Sequence, residues 1–198
     1  EFVSDQQKAQ DSEAFQTAQQ FFAEKLQTCE GASEIPADLP KTDRQGFIGE
    51  AVCPTHYEKA AVFCRQHEVT PAHLFLAATA YVVSRYTNNR DVFLSTISIG
   101  RSNLKIADTV GMFVNTLALT TKIANQTVEE FIKENAHAFE CTLAHEDYPF
   151  ARIAADYDLK AEIMFAYQMG VLSNYSVFGK PVFADETMEQ NVPKFKIA

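Results

Sequence analysis

The stretch GMFVNTLAL, residues 111–119, decides more about the fold than any other part of the sequence. Large and β-branched apolar residues dominate it, and this composition predicts a β-strand over residues 113–122. Asn115 and Thr116 stand inside that otherwise apolar run. A buried amide without a partner costs about 1–3 kcal/mol, so Asn115 is expected to be paired. The pattern leaves two alternatives: a structural hydrogen bond to a neighbouring loop, or a polar group that lines a ligand channel.

A second informative stretch, HEDYPF, occupies residues 145–150. Aspartate and proline are typical of turns, which predicts a connection between two helices. Asp147 is expected to cap the second helix, while Tyr148 and Phe150 anchor the turn by packing. The alternative is a general base at His145 that a neighbouring carboxylate orients. A lone histidine is weak support for catalysis, so we interpret the turn as structural.

Apolar periodicity and capping residues predict helices around these two stretches. Thr70 followed by Pro71 is a favourable start for a helix. That helix is apolar nearly all round, which predicts burial on most of its sides. The pattern Thr-x-x-Glu, a capping box, opens two more helices at Thr55 and at Thr127. The predicted helices cover residues 13–28, 55–66, 71–86, 127–143 and 149–157.

Strands are predicted between and after the helices. They cover residues 46–53, 92–99, 113–122, 161–168, 175–183 and 194–198. Residues 1–12 are polar and are predicted to form a frayed N-terminal tail ahead of one domain, residues 13–198. The order of elements predicts an α/β sandwich in which helices cover a mixed sheet that is only partly parallel.

The composition of the chain excludes several classes of function. The 198 residues are 46% hydrophobic and 12% aromatic, which supports a packed core and excludes wholesale disorder. The 17 Lys and Arg against 26 Asp and Glu give a formal charge of −9. Nucleic acids and anionic membranes both attract basic surfaces, so neither is an expected partner. No run approaches the roughly 18 apolar residues of a membrane span.

The reactive side chains do not form a known catalytic or metal-binding pattern. The spacing of the four cysteines and five histidines fits neither a zinc site nor a metalloprotease motif. A nucleophile elbow and a phosphate-binding glycine loop are also absent from the sequence. We therefore assign no catalytic residue and no metal ligand. Unpaired cysteines and the lack of a signal peptide predict a cytoplasmic location.

Six stretches, in order along the chain, resemble landmarks of the condensation domains of nonribosomal peptide synthetases. GMFVNTLAL is similar to the family motif GxFVNTLxLR, and HEDYPF is similar to HQDYPFE. The other four are FFAEKL at 21–26, LPKTDR at 39–44, VTPAHLFLAA at 69–78 and IGR at 99–101. Several landmarks in the right order are far more specific than one. The resemblance covers about residues 15–198.

The departures from the family pattern are equally specific. The family's catalytic motif, HHxxxDG, belongs to the N-terminal lobe and does not occur in these 198 residues. Thr120 stands where the family has Arg, and Ala151 where it has Glu. The later stretch RDxSRNPLFQ is replaced by residues 157–163. The chain therefore resembles a C-terminal lobe without the N-terminal lobe and without the last C-terminal elements.

The resemblance implies a fold and a reaction. Condensation domains consist of two lobes, each similar to chloramphenicol acetyltransferase, with a tunnel between them. Donor and acceptor peptidyl carrier proteins present thioesters on phosphopantetheine arms, and an amide bond forms. The implied partners are those carriers and the N-terminal lobe, and no cofactor is bound directly. One lobe alone is expected to be inactive.

The resemblance also implies roles for individual residues. Asn115 and Thr116 are expected to contact the substrate tunnel, and Gly111 to allow a close backbone approach. Arg101 and Lys105 are expected to contact a pantetheine phosphate or an acidic carrier protein. The motif residues expected to serve packing are Phe113, Tyr148, Pro149 and Phe150.

Two alternatives stay open. One is an epimerization or ester-forming member of the same superfamily, which shares the fold. The other is a non-catalytic recruitment module, which the departures at Thr120 and Ala151 favour. The amino acids joined, the peptide product and the oligomeric state leave no readable pattern in the sequence.

Overall fold

The computed structural model describes residues 2–27, 33–36, 49, 51, 56–101, 109–168, 176–177 and 180–181. Six helices and five strands are assigned within these residues. The helices are α1 Phe2–Ala9, α2 Glu13–Leu26, α3 Tyr57–His67, α4 Pro71–Thr87, α5 Val128–Leu143 and α6 Phe150–Tyr157. The strands are β1 Asp91–Ser98, β2 Asn115–Lys122, β3 Met164–Phe165, β4 Ser176–Val177 and β5 Lys180–Pro181.

The central sheet is mixed, as the sequence predicts. Its order is β2-β1-β3, with β1 antiparallel to β2 and parallel to β3. The long pair runs from Asp91 opposite Lys122 to Ser98 opposite Asn115. On the other side of β1, the backbone N–H of Phe93 donates to the hydroxyl of Ser33, at 2.8 Å. The Ser33 side chain thus satisfies a backbone N–H of β1 just before the residues of β1 that pair with β3.

Helices cover both faces of the sheet. Successive side chains of a strand point to opposite faces, and β1 contributes to two separate clusters accordingly. The first cluster joins the sheet to α4 and α5: Leu76, Ala77, Ala80, Val83, Val92, Leu94, Leu119, Phe131, Ile132 and Ile163. The second joins it to α2 and α6: Ala18, Phe22, Leu26, Phe93, Ala118, Tyr148, Ile153 and Leu159. The layers are helix, sheet and helix, so the predicted sandwich is confirmed.

Local capping chemistry explains where most helices begin. The Thr70 hydroxyl accepts from the His73 N–H at 3.2 Å, with Pro71 in the first turn. At α5, the Thr127 hydroxyl accepts from the Glu130 N–H and the Glu130 carboxylate accepts from the Thr127 N–H. Both predicted starts are confirmed. Thr55, the start predicted for another helix, lies outside the described residues. The helix there, α3, begins at Tyr57, after His56, which makes no capping hydrogen bond.

Four other predictions are corrected. The polar tail predicted over residues 1–12 contains a helix, α1, because Ser12 caps α2 and the chain before it forms its own turns. The outer side of α4 is exposed at Tyr81, Val82 and Tyr86, whereas α3, α5 and β1 pack against its other sides. The strand predicted over 161–168 is shortened to β3. The strand predicted over 175–183 is divided into β4 and β5, which pair antiparallel.

Several predictions fall on residues that the structure does not describe. The strand predicted over 46–53 lies almost wholly outside the described residues, and that over 194–198 lies entirely outside them. The assignment of residues 13–198 to one lobe stays a prediction. Among the described helices, none combines the length and the apolar character that a membrane crossing requires.

Candidate functional site

The two most informative stretches of sequence meet at one end of the sheet. The end of β1, the segment that leads into β2 and the turn between α5 and α6 lie side by side there. We call this region the motif junction and define it as residues 98–101, 111–115 and 146–148. Polar contacts within the chain hold it together.

Asn115 links the two stretches directly. Its side-chain nitrogen Nδ2 donates to the backbone oxygens of Glu146, at 2.5 Å, and Tyr148, at 3.2 Å. The side chain is half-buried at the first residue of β2. Of the two alternatives open from the sequence, the geometry supports the structural hydrogen bond to a neighbouring loop. A contact of Asn115 with a substrate tunnel stays a prediction, as does that of the half-buried Thr116.

Ser98 and Gly100 form the second link, at the end of β1. The Ser98 hydroxyl donates to the Glu146 carboxylate and accepts from the Gly100 N–H at 3.1 Å. Gly100 has a φ of +60°, in the left-handed region that glycine tolerates best. A Cβ atom at this position would collide with the carbonyl oxygen of Phe113. The chain therefore passes close to its own backbone at Gly100.

Arg101 has a different setting from the one predicted. Its guanidinium donates to the carbonyl oxygens of Thr109, at 2.8 Å, and Gly111, at 3.1 Å. The guanidinium carbon also lies 4.6 Å from the centre of the Phe113 ring, a cation–π distance. These contacts are internal to the chain, so the phosphate or carrier contact predicted for Arg101 stays without support. Lys105, predicted to share that role, lies outside the described residues.

Phe113 packs as predicted, and Gly111 lies beside it. A Cβ atom at Gly111 would approach the Phe113 ring to 3.1 Å, which is tight. The crowding at Gly111 thus comes from this chain's own side chain. A close approach of substrate to the Gly111 backbone stays a prediction.

The turn before α6 is anchored by aromatic packing, as the sequence predicts. Tyr148 is only 3% exposed, and its ring centre lies 4.8 Å from that of Phe15 and 5.4 Å from that of Phe22. Burial raises the pKa of the Tyr148 hydroxyl, and the nearby Asp156 carboxylate raises it further. The half-buried Phe150 packs against the same cluster. Tyr148 and Phe150 therefore belong to the second cluster, between the sheet, α2 and α6.

Two details of the turn differ from the sequence analysis. Pro149 occupies the cap position of α6 and makes no side-chain capping bond, so the capping role predicted for Asp147 is wrong. Proline presets the φ angle that the start of a helix requires, which replaces a capping side chain. His145 stacks on Phe21 with 4.3 Å between ring centres and pairs through Nδ1 with the Cys141 carbonyl oxygen at 2.8 Å. Both contacts are structural.

A ridge of exposed apolar side chains borders the junction, and the sequence analysis missed it. Val110 is 100% exposed, Met112 is 91% exposed and Val114 is 54% exposed. We call these three residues the apolar ridge. The available signal was the alternation of apolar residues at 110, 112 and 114, but the strand predicted over 113–122 left out the first two of them. Large apolar groups grouped on a surface mark a place that another molecule or domain covers.

Thr120, the first departure from the family pattern, lies at the surface of a cleft. Thr120 lines an open cleft of about 280 Å³ between α2, α5 and the ends of β1 and β2. Glu24 and Glu134 stand on its two sides, together with Lys25 and Lys122. Ala151, the other departure, is exposed on α6.

The junction is suited to shaping a surface. The hydrogen bonds of the junction join segments of this chain to one another, and the apolar side chains of the ridge are exposed. Within the described residues, no group of three or more His, Cys, Asp or Glu side chains is placed to hold a metal ion. The structure thus places an exposed apolar surface beside a network of polar contacts.

Comparisons with known proteins agree with this architecture. The family model of the condensation domain matches residues 1–195, and so includes the segment predicted as a tail. Tyrocidine synthase 3 of Brevibacillus parabrevis is 29% identical over 172 residues, 82% of this chain and 3% of that protein. This chain therefore spans only a small part of that relative.

Two solved structures show the same fold. Holo-AB3403, a four-domain nonribosomal peptide synthetase bound to AMP and glycine, superposes with a TM-score of 0.70 at 21% identity. The match covers 83% of this chain and 14% of that one. The first condensation domain of the calcium-dependent antibiotic synthetase, with a substrate analogue, gives 0.65 at 18% identity over 83% and 39% of the two chains. At these identities the likeness establishes the fold, a chloramphenicol-acetyltransferase-like sandwich, and confirms that prediction.

Proposed function

Because this chain belongs to the condensation-domain family, we propose that its parent protein joins two carrier-bound thioesters through an amide bond. The parent is a nonribosomal peptide synthetase, and the chain is the C-terminal lobe of one of its condensation domains. The lobe supplies one wall of the substrate tunnel. The N-terminal lobe supplies the other wall and the HHxxxDG motif, so the chain alone is inactive.

The observation that carries this proposal is the apolar ridge beside the motif junction. Val110 is 100% exposed and Met112 is 91% exposed, more than any other large apolar side chain among the described residues. Leaving such groups in water is unfavourable by about 25 cal/mol per Å² of apolar surface. A facing lobe and the apolar part of a pantetheine arm would cover them.

The reaction needs little chemistry from this lobe. The amine nitrogen of the acceptor attacks the thioester carbonyl carbon of the donor, an amide C–N bond forms and the C–S bond breaks. The proton lost by the amine is taken up by the departing pantetheine thiolate. Holding amine and thioester in contact supplies much of the acceleration, because effective molarities of well-oriented groups are very large. A rigid wall serves that purpose.

The test is reconstitution of the complete parent protein. Its carriers are loaded with a panel of aminoacyl-pantetheine groups, and amide products are followed by mass spectrometry. We expect a dipeptidyl thioester from the complete protein and none from residues 1–198 alone. Amide formation by the isolated chain would contradict the assignment of catalysis to the other lobe.

The same assay decides the alternatives. The second candidate is a non-catalytic recruitment module. It is favoured by Thr120, which stands where the family has arginine and borders an open cleft. That module would give no amide from any thioester pair but would retain binding to a partner enzyme. An epimerization domain would instead invert the α-carbon of a single loaded thioester, and an ester-forming domain would accept a hydroxyl in place of the amine.

A further inference from the structure

We propose that Arg101 is a positioning residue, which holds the apolar ridge in place from inside the chain. This inference rests on the proposed function, since the ridge matters to catalysis only if it forms part of the tunnel. It replaces the prediction that Arg101 contacts a phosphate. Three sets of contacts hold the ridge in place.

The first set spans the beginning of the ridge. The two terminal nitrogens of the Arg101 guanidinium donate to different carbonyl oxygens, those of Thr109 and Gly111. These residues flank Val110 on either side. A planar guanidinium offers several donors in a fixed arrangement, so binding two carbonyls fixes their relative orientation. Arg101 thus bridges the backbone directly around Val110.

The second set fixes the direction of the ridge. Arg101 covers one face of Phe113, with 4.6 Å between the guanidinium carbon and the ring centre. Phe113 is half-buried, whereas its neighbours Met112 and Val114 are exposed. Adjacent side chains of an extended segment point to opposite sides. Holding Phe113 inward therefore turns Met112 and Val114 outward.

The third set anchors the far end. Asn115, the residue after the ridge, donates to two carbonyl oxygens of the turn before α6. The Phe113 carbonyl oxygen lies against Gly100, the residue before Arg101. The ridge is thus held from both ends, by Arg101 at its beginning and by Asn115 at its end. The Asn115 contact is independent of Arg101, so removing the arginine loosens only one end.

The commitment of Arg101 to these groups argues against a phosphate contact. Both terminal nitrogens and one face of the guanidinium are occupied within the chain. A phosphate that recruited this side chain would have to displace a carbonyl and open the segment. Arg101 therefore acts on substrates through the position of the ridge.

The experiment compares two substrate forms in the complete parent protein. The donor aminoacyl group that gives product is offered on its carrier protein, and separately as its N-acetylcysteamine thioester, which carries neither phosphate nor protein. Arg101→Met keeps the aliphatic stem and removes every donor. Positioning predicts a loss of about tenfold in kcat/KM with both forms. A phosphate or carrier contact predicts a loss with the carrier-bound form alone, and that result would overturn the proposal.

A matched control is available in Arg152. Its guanidinium also lies over a phenylalanine, 5.8 Å from the Phe15 ring centre, and donates to Gln10 at 3.2 Å. Arg152→Met removes one side-chain hydrogen bond and one contact with an aromatic ring, neither of them to a residue of the ridge. We expect it to leave kcat/KM within about twofold of the parent value. Arg101→Lys, which cannot bridge two carbonyls, is expected to restore only part of the activity.

Hydrogen exchange separates this inference from the proposed function. Arg101→Met is expected to speed amide exchange at residues 110–114 about tenfold, while the amides of β1 keep their protection. This readout does not depend on any reaction. If the unaltered parent protein makes no amide, the proposed function fails and exchange still decides the role of Arg101. Unchanged exchange at residues 110–114 would overturn the positioning role.

Discussion

The middle of the β1–β2 pair and the motif junction belong to the same two strands but are held by different forces. In the middle, Leu94 and Leu119 pack against α4 and α5 and are almost wholly buried. At the junction, Ser98 and Asn115 are held by hydrogen bonds to the turn before α6. Nonpolar burial fixes the sheet, and directional polar contacts fix the position of its end.

The difference separates stability from placement. Burial is non-directional and scales with area, so the middle of the sheet tolerates small shifts without losing its stabilisation. Hydrogen bonds depend on distance and angle, so the junction holds one geometry. We expect substitutions in the middle to reduce the free energy of unfolding strongly. Substitutions at the junction are expected to affect activity more than stability.

The largest expected effect comes from a substitution in the middle of the β1–β2 pair. Leu94→Ala removes a side chain that is 2% exposed and leaves a cavity beneath α4. We expect a loss of about 3 kcal/mol in the free energy of unfolding, measured by urea denaturation. Ile97→Ala, on the same strand but 36% exposed, is the control and is expected to cost less than about 1.5 kcal/mol. Equal losses would show that the middle is no more tightly packed than the end.

The next largest effect is expected from a substitution of Asn115 in the motif junction. Asn115→Leu keeps the size of the side chain and removes the donor to the Glu146 and Tyr148 carbonyls. We expect a loss of about 1–2 kcal/mol in the same denaturation measurement. Thr116→Val is the neighbouring control and is expected to cost less than about 0.5 kcal/mol. A larger loss for Thr116→Val than for Asn115→Leu would show that Asn115 is not the residue that anchors β2 by polar contacts.

A smaller effect concerns the helices that cover the middle of the sheet. Thr127→Ala removes the hydroxyl that caps α5, whose Phe131 and Ile132 pack on the sheet. The expected loss is about 1 kcal/mol, since the cap satisfies backbone donors of the first turn. Thr127→Ser retains the hydroxyl and is expected to recover most of the stability in thermal unfolding. If the serine and alanine variants unfold together, the cap contributes nothing.

The smallest expected effect is a dependence on pH. His73, which is 8% exposed, accepts from the Thr70 N–H in the capping box of α4. Burial lowers its pKa from the usual value of 6.5, although the Glu140 carboxylate on α5 opposes this. The folded state therefore favours the neutral ring. Its contribution to stability is complete above about pH 6.5 and is lost as the pH falls through 6.5 towards the lowered pKa.

The His73→Gln variant tests this origin. Glutamine keeps a side-chain acceptor at that position of the capping box and does not titrate. We expect its urea midpoint to change less between pH 8 and about pH 5 than that of the unaltered chain. An unchanged slope would assign the pH dependence to other groups.

The sequence predicted the middle of the sheet better than the junction, for a physical reason. Apolar periodicity and caps such as Thr127 are local, so β1, β2, α4 and α5 could be located from the sequence. The partners of Asn115 and Arg101 depend on which segments meet in three dimensions, and no local pattern records that. Asp147 shows a limit of local patterns too, because aspartate is a common cap but Pro149 occupies the cap position of α6.

The candidate site was found in part. The stretches around Asn115 and Tyr148 were identified from the sequence, and the structure brings them together at the motif junction. The apolar ridge was missed because an exposed strand-like segment and a buried one have the same composition. Only the exposure of Val110 and Met112 in the folded chain separates them.

The measurement that tests the central claim most directly is amide formation by the complete parent protein carrying Met112→Glu. Met112 is 91% exposed and contributes little to the packing of this chain. We expect the thermal midpoint to be unchanged and the rate of amide formation to fall more than about tenfold, because a carboxylate would be buried in the tunnel wall. Val128→Glu, at an apolar position on α5 that is 73% exposed, is expected to leave both unchanged. Full activity of the Met112→Glu protein would contradict the claim that the apolar ridge forms part of the catalytic tunnel.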